Sequence, residues 1–140
     1  MEILNKKATF HFELIGDRIE CGIVLSGLEV KSIKENRTDI SNAYVKIIGG
    51  EAFLVNANMP LQTDDPTRSR KLLLHKDQLT QLDTKIKQQK LTLIPTKLYT
   101  KGRFIKLQIA QAKAKRSFEK KESIKQKDLD REAQRELKDS

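Results

Sequence analysis

The feature that most restricts the fold is a pair of adjacent glycines, Gly49 and Gly50, between two short apolar segments. Residues 44–48 read Tyr-Val-Lys-Ile-Ile and residues 51–55 read Glu-Ala-Phe-Leu-Val, and both are rich in residues that favour strands. Two consecutive glycines supply the positive φ angles that a two-residue hairpin turn requires. The sequence therefore predicts a β-hairpin here, which is typical of an antiparallel sheet.

Alternation of apolar and polar residues predicts further strands on both sides of this hairpin. Apolar residues alternate over positions 10–14 and again over positions 19–25. A second hairpin is predicted between residues 91–99 and residues 104–112, with its turn at residues 100–103. The same-face neighbours expected across that hairpin are Leu93 with Leu107 and Leu91 with Ile109.

Two helices are predicted among these strands. Residues 76–89 place Leu79, Leu82 and Ile86 on one face of a helix, with Gln and Lys on the rest. Residues 28–34 fit either a strand or a short helix, and the helix is favoured because the apolar positions depart from strict alternation. Short antiparallel strands with short helices among them fit a mainly β fold, a small closed β-barrel of the oligonucleotide-binding (OB) type.

The composition of the chain changes at Lys113. Residues 113–140 contain ten Lys or Arg and seven Asp or Glu, but few bulky apolar residues. Because such a segment buries too little apolar surface to offset the entropy of ordering it, we predict disorder in the free protein. The predicted organisation is one domain over residues 1–112 and a basic tail over residues 113–140. The domain is expected to begin with a loose basic arm at residues 1–9 that docks on a surface. Within the tail, residues 124–137 lack Gly and Pro, and we expect them to become helical on a partner.

The charge of the chain predicts an anionic partner. The formal net charge is +9 and the isoelectric point is near 9.7. Nucleic acid is favoured over an anionic membrane surface, since no long basic amphipathic helix with a bulky apolar face is present in the sequence. The single cysteine, Cys21, and the lack of a signal peptide or an 18-residue apolar run predict a cytosolic location.

A dense cluster of cations lies in residues 65–75, which read Asp-Pro-Thr-Arg-Ser-Arg-Lys-Leu-Leu-Leu-His. The Asp-Pro step disfavours helix and sets an extended or turned backbone. Arg68, Arg70 and Lys71 then precede three leucines that anchor the cluster to a core. Salt bridges to Asp64 and Asp65 are the alternative, but the three cations outnumber these two aspartates, so phosphate contacts are favoured.

Residues 65–75 resemble the signature of the SsrA-binding protein family (small protein B), bacterial proteins that bind transfer-messenger RNA. Residues 22–33 are similar to a second block of the same family. Shorter matches lie at residues 5–8, 97–99 and 112–116, in the family's order and spacing. The resemblance implies an RNA-binding barrel that acts as a non-enzymatic adaptor of trans-translation and needs no cofactor.

The resemblance also implies three RNA-binding positions on the barrel face, which here are Glu20, Leu73 and Lys106. Taken from the sequence alone, Glu20 and Lys106 also fit solvated strand residues, and Leu73 also fits a core leucine. Tyr99 fits either a base-stacking residue or a half-buried strand tyrosine. The other residues expected to contact RNA are Asn5, Lys6, Lys7, Arg68, Arg70 and Lys71.

The resemblance further implies that the tail enters the decoding centre and the messenger channel of the small ribosomal subunit. Phe118 stands where the family has an aromatic residue or His before an Asp-Lys-Arg triplet. This chain has Glu-Lys-Lys at residues 119–121, and Lys lacks the planar fork of Arg. Residues 10–12 also differ from the family's usual His-Asp/Glu-Tyr. Elongation factor Tu and alanyl-tRNA synthetase are implied as indirect partners through the shared RNA. The tail residues expected to contact ribosomal RNA are Lys113, Lys115, Arg116, Phe118, Lys120, Lys121, Lys125 and Lys127.

Two other functions fit a small basic chain with a tail. A structural ribosomal protein would bind ribosomal RNA permanently, and an RNA-processing enzyme could use the same kind of barrel. The sequence offers little for catalysis, because His11, His75 and Cys21 have no metal-ligand spacing. It also contains no phosphate-cradling glycine loop and no nucleophile elbow. We therefore predict neither a catalytic residue nor a bound metal.

Overall fold

The structure, a computed structural model, describes residues 1–61 and 65–115. In this part of the chain it contains seven strands and three helices. The elements in chain order are β1 (Glu2–Leu4), α1 (Ala8–His11), β2 (Phe12–Ile23), α2 (Gly27–Lys34), β3 (Tyr44–Ile48), β4 (Glu51–Val55), β5 (Arg70–Leu73), α3 (Lys76–Gln89), β6 (Thr92–Lys101) and β7 (Phe104–Ala114). Within the same ranges, no helix combines the length and apolar character needed to cross a membrane.

The strands pair antiparallel and close into a ring. Pairing runs from β6 through β3, β4, β5 and β2 to β7, and β7 pairs with β6 again. The closure between β3 and β6 rests on the pair Val45 and Leu93. Further along the same strand, residues 97–99 of β6 pair with β1. The predicted mainly β class, with a closed antiparallel sheet and short helices, is confirmed.

One main apolar core fills this ring. The helices contribute to it, because α2 buries Ile33 and α3 buries Leu82 with Leu79 and Ile86 partly covered. The predicted apolar face of α3 is therefore confirmed, and so is the short helix at α2. Fully buried strand residues in the core include Leu54, Leu98, Leu107 and Ile109.

The first predicted hairpin is confirmed. Ile48 pairs with Glu51 across the two glycines, whose φ angles are 59° at Gly49 and 77° at Gly50. These positive values are the ones that a non-glycine residue adopts only with strain.

The second hairpin exists, but its predicted register is wrong. Its turn contains only Gly102 and Arg103, so the strands run further toward the turn than predicted, and Lys101 pairs with Phe104. Leu107 consequently lies opposite Leu98 rather than Leu93. A register shift between Pro95 and Lys97 changes the pairs on the side away from the turn, so Ile109 lies opposite Pro95.

The N-terminal residues are more ordered than predicted. Residues 1–9 form no loose arm, because β1 adds to the edge of β6 and buries Ile3. Phe10 belongs to α1 rather than to a strand, and β2 begins only at Phe12. Backbone hydrogen bonds that join β1 to β6 hold this segment on the sheet.

The last strand continues past the predicted domain boundary at Lys113. Ala114 still pairs with Phe12, and the backbone amide of Lys115 donates to the His11 carbonyl oxygen at 2.9 Å. The disorder predicted over residues 113–140 is wrong for Lys113 and Ala114, which belong to β7. Residues 116–140, including the helix predicted over residues 124–137, lie outside the described part.

Candidate nucleic-acid interface

Three of the predicted RNA-binding residues lie together on one outer face of the sheet. Gly22 of β2 pairs with Leu73 of β5 on one side and with Lys106 of β7 on the other. Directly opposite residues in antiparallel strands point to the same face, and Glu20, two residues before Gly22, points there too. Glu20, Leu73 and Lys106 line one surface groove of about 870 Å³.

Leu73 forms an exposed apolar platform in this groove. Its exposed fraction is 54%, whereas the adjacent Leu72 fills the core position at 2%. Strand alternation explains the difference, because neighbouring residues point to opposite faces. The reading of Leu73 as a core leucine is therefore wrong. Gly22 lies beside it without a side chain, which leaves the leucine uncovered.

Glu20 is held in place by two donors. The hydroxyl of Tyr99 donates to Oε2 of Glu20, and Nζ of Lys101 lies 3.2 Å from Oε1. The hydrogen bond from Tyr99, followed by that from Lys101, lowers the pKa of Glu20 below its usual value. Partial burial and the bond to Glu20 raise the pKa of Tyr99 to about 12. The pair is thus an ionised carboxylate and a protonated phenol at neutral pH.

Tyr99 itself is a half-buried strand residue, with Nζ of Lys97 lying 5.1 Å from its ring centroid. Its hydroxyl is committed to Glu20 and one side of its ring is approached by a cation. Tyr99 therefore orients Glu20 through the hydrogen bond from its hydroxyl.

Lysines supply positive charge to the groove from two strands. Lys106 of β7 has no ion pair with another described residue, and its Nζ lies 5.6 Å from the ring centroid of Phe104. Lys71 of β5 pairs with Glu51 at 3.3 Å, and both of these side chains are well exposed. An exposed pair of this kind contributes little to stability, so Lys71 can exchange Glu51 for a phosphate.

Arg70 occupies a different position from the one predicted. Its side chain is fully buried, with Nε donating to Oε2 of Glu29. Its Nη1 donates to the carbonyl oxygen of Ala57 at 2.6 Å, and its Nη2 donates to that of Pro66 at 2.8 Å. The prediction that Arg70 contacts RNA phosphate is therefore wrong, because all three nitrogens are engaged inside the protein.

Arg68 binds the same carboxylate from the surface. Its Nη2 donates to Oε1 of Glu29, and about a third of its side chain, 34%, stays exposed. The aspartate Asp65, considered above as a salt-bridge partner, instead accepts from the Thr67 amide at 3.2 Å. Arg68 thus has Nη2 committed to the buried carboxylate, and its Nη1 donates to the Ser69 carbonyl oxygen at 3.4 Å.

Glu29 is a structural residue that the sequence interpretation missed. It lies fully buried in α2, where its amide donates to Oγ of Ser26 and its Oε1 accepts from the Ser26 amide. Although burial opposes it, hydrogen bonds from Arg68, the Ser26 amide and Arg70 hold the pKa of Glu29 below its usual value. The Ser-x-x-Glu spacing of a capping box was the available signal.

Comparison with known proteins places this chain in a family. The family model described as SmpB protein matches residues 2–139. The chain belongs to the SmpB family. It is 41% identical to the SsrA-binding protein of Enterococcus hirae, covering 96% of this chain and 90% of that relative. It is 43% identical to the SsrA-binding protein of Ureaplasma parvum, covering 94% of this chain and 97% of that relative.

A solved structure extends the likeness to three dimensions. It is described as "tmRNA-SmpB: a journey to the center of the bacterial ribosome", and one of its chains is 33% identical to this one. The two chains superpose with a TM-score of 0.67, covering 88% of this chain and 94% of the other. The predicted membership of the SmpB family is thereby confirmed.

In this member of the SmpB family, the predicted N-terminal residues do not join the groove. Asn5 donates from Nδ2 to the carbonyl oxygen of Pro95 at 2.7 Å and accepts from the Lys7 amide at 3.2 Å, so its side chain anchors the backbone. Lys6 and Lys7 are exposed, and with Asp39 they line a separate groove of about 490 Å³. RNA contacts by Lys6 and Lys7 stay predictions.

Two of the predicted tail residues lie in the described part. Lys113 is exposed on β7 opposite Glu13, and Nζ of Lys115 donates to the carbonyl oxygen of Thr9 at 2.6 Å. Both lie at the end of the last strand, where the chain leaves the sheet. The remaining predicted tail residues, Arg116, Phe118, Lys120, Lys121, Lys125 and Lys127, lie outside the described part.

The thiol of Cys21 borders the groove, but it is a poor nucleophile. It is buried, its Sγ donates to the Leu107 carbonyl oxygen at 3.3 Å, and burial raises its pKa to about 12. A thiol with so high a pKa carries almost no thiolate at neutral pH. In the part of the chain described here, no three His, Cys, Asp or Glu side chains cluster to hold a metal ion.

Proposed function

We propose that this protein is an RNA-binding adaptor of trans-translation. It binds the tRNA-like domain of transfer-messenger RNA and delivers that RNA to stalled ribosomes. The observation that carries this proposal is the single groove that gathers Glu20, Leu73 and Lys106. Membership of the SmpB family and its relatives named as SsrA-binding proteins support the choice of RNA.

The chemistry of the groove suits an unpaired, structured stretch of RNA. Small β-barrels bind RNA largely through shape, base stacking and contacts to phosphate. Leu73 offers an apolar surface to a base, and Lys106 and Lys71 offer charge to phosphates on either side of it. The ionised carboxylate of Glu20 accepts hydrogen bonds from an exocyclic amine of a base.

The buried ion cluster positions part of this groove. Glu29 fixes Arg68 and Arg70, and the strand that begins at Arg70 carries Lys71 and Leu73 to the groove. Holding these residues rigidly before RNA arrives reduces the entropy lost on binding. The cations at positions 68 and 70 thus act on RNA binding mainly through the backbone of β5.

The tail has a separate role in the proposal. Residues 116–140 extend the basic segment that starts with Lys113 and Lys115 at the end of β7. They occupy the decoding centre and the empty messenger channel of the stalled ribosome, where ribosomal RNA supplies negative charge. Elongation factor Tu and alanyl-tRNA synthetase then act on the same RNA without direct contact being required.

The division between barrel and tail is tested by ending the chain at Lys115. This truncation keeps β7 complete, since the strand ends at Ala114. We expect its affinity for transfer-messenger RNA in filter binding to match that of the full chain. Peptide tagging on ribosomes stalled in a reconstituted translation system should be lost. Loss of RNA affinity together with tagging would contradict the division of labour.

A structural ribosomal protein is separated from an adaptor by a salt wash. An adaptor should leave purified ribosomes at high salt and rebind when transfer-messenger RNA is supplied, because its contacts are mostly to phosphate. Retention on washed ribosomes in the absence of that RNA would favour the structural role. Incubating the full chain with the RNA and Mg²⁺ checks the enzymatic alternative, since any cleavage or modification would contradict the proposal.

A further inference from the structure

Phe104 is an apolar side chain that the proposed groove does not account for. It is the first residue of β7, directly after the Gly102–Arg103 turn, and its exposed fraction is 68%. Its ring does not pack into either apolar core cluster. An aromatic ring left in water at the tip of a hairpin gains contacts only when a partner covers it.

The surroundings of the ring are cationic. Arg103 precedes it in the turn, Lys101 pairs opposite it, and Nζ of Lys106 lies 5.6 Å from its centroid. Lys101 is the only one of these three with an ion pair among the described residues, and its partner is Glu20. The patch therefore carries excess positive charge, which favours an anionic partner over an apolar protein segment.

A small groove adjoins the ring on the side of α2. Its volume is about 270 Å³, its apolar walls come from Ile23, Leu25, Val30 and Ile105, and its cations are Lys34 and Arg103. This volume lies just below the roughly 300–1,000 Å³ of sites for larger ligands. The space thus suits a single flat ring system rather than an extended ligand.

We propose that Phe104 and this groove, here called the hairpin-tip site, bind one unpaired nucleotide of RNA, with its base stacked on the ring. The inference rests on the proposed function, because it takes RNA to be the partner. Continuity supports it, since Phe104 and Lys106 lie two residues apart on the same face of β7, and Lys106 also lines the groove of Glu20 and Leu73. Arg103 and Lys34 then lie beside the phosphate of the bound nucleotide.

The test compares exposed aromatic residues at two places. Phe104→Ala removes the ring at the hairpin-tip site. The control, Tyr44→Ala, removes an exposed ring from β3, and Tyr44 lines none of the grooves described above. Filter binding of full-length protein to transfer-messenger RNA should show about fivefold or greater loss for Phe104→Ala, the loss expected for one stacked base. Phe104→Trp should bind as tightly as the unchanged protein, and so should Tyr44→Ala.

The salt dependence separates stacking from an indirect effect on Lys106. Removing an uncharged ring should leave the slope of log affinity against log salt unchanged. A slope reduced by about one would mean that Phe104 acts only by placing a phosphate contact of Lys106, and it would overturn the proposal. If Phe104→Ala does not fold, Phe104→Leu keeps the apolar volume and should show the same loss of affinity.

The remaining outcomes identify other occupants. Unchanged RNA affinity in both Phe104→Ala and Phe104→Leu would overturn the proposal, whether or not tagging is lost. Gel filtration that shows a dimer of the unchanged protein and a monomer of Phe104→Ala, both without RNA, would assign the ring to a contact between two copies. Failure of the unchanged protein to bind the RNA would instead refute the proposed function, which keeps the two failures distinct.

Discussion

Gly22 lies so close to Leu73 that a Cβ atom at position 22 would come within 3.2 Å of the Leu73 Cβ and 3.3 Å of its Cδ1. This distance is tighter than ordinary van der Waals contact, so any side chain at position 22 must push the leucine aside. The glycine therefore keeps the apolar platform of the groove in its present place. Its role follows from the cross-strand pairing of β2 with β5.

Gly22→Ala should lower RNA affinity with little loss of stability. Rotation about χ1 can carry the exposed Leu73 Cδ1 away from the new methyl group, but the Leu73 Cβ moves only with the backbone. A shift of β5 against β2 by a few tenths of an ångström relieves that contact and moves the platform with it. Filter binding with transfer-messenger RNA and a thermal melt check the two effects. Gly27→Ala is the control, because a Cβ there meets nothing within 4 Å. Equal RNA affinity in the two variants would show that the position of Leu73 does not matter.

Glu29→Gln should destabilise the fold by about 3 kcal/mol or more, because it leaves Arg70 buried without its carboxylate. Urea unfolding at neutral pH measures this loss. Glu35→Gln is the control, since Glu35 pairs with Arg37 at 3.6 Å on the surface and contributes little. A loss at position 29 no larger than that at position 35 would contradict the structural role.

The lowered pKa of Glu29 makes the stability of the fold depend on pH. Because the folded-state pKa of Glu29 is lowered, its contribution is complete above the ordinary pKa of a glutamate and is lost as pH falls through the lower folded value. The difference in unfolding free energy between the unchanged protein and Glu29→Gln should therefore shrink in acid. A difference that stays constant down to the acid limit would argue against ionised Glu29 as its source.

Local sequence signals predicted the elements that short-range physics determines. The two glycines at positions 49–50 predicted a hairpin with the observed strand bounds, since the turn needs positive φ angles. The spacing of Leu79, Leu82 and Ile86 predicted α3 over the residues that it occupies. Both signals depend on residues close together in the sequence, so they can be recognised without knowledge of any distant contact.

Long-range partners could not be predicted in this way. Arg70 looks like a surface cation in the sequence, and only the fold shows that Glu29, 41 positions earlier, reaches it. The register of the second hairpin failed for a related reason. A two-residue turn and a bulge near Pro95 are small shifts, but each one changes every partner beyond it.

Lys106→Ala should weaken RNA binding and reduce its dependence on salt. Removing one cation from a phosphate lowers the slope of log affinity against log salt by about one. Lys46→Ala is the matched control, because Lys46 is an exposed strand lysine on β3 that lines no groove described above. Filter binding at several salt concentrations measures both slopes. Identical slopes for the two variants would remove Lys106 from the phosphate contacts.

Tyr99→Phe should raise the pKa of Glu20 toward its usual value and weaken RNA binding. The Tyr99 hydroxyl is the largest cause of the lowered pKa, and its removal leaves Lys101 as the remaining donor to the carboxylate. A carboxyl-detected NMR titration follows Glu20 directly, and Tyr44→Phe serves as the control on an exposed tyrosine. Because Glu20 is exposed, the melting temperature should change little. An unchanged titration of Glu20 would show that the phenol does not orient the carboxylate, and the RNA contact assigned to Glu20 would then need another explanation.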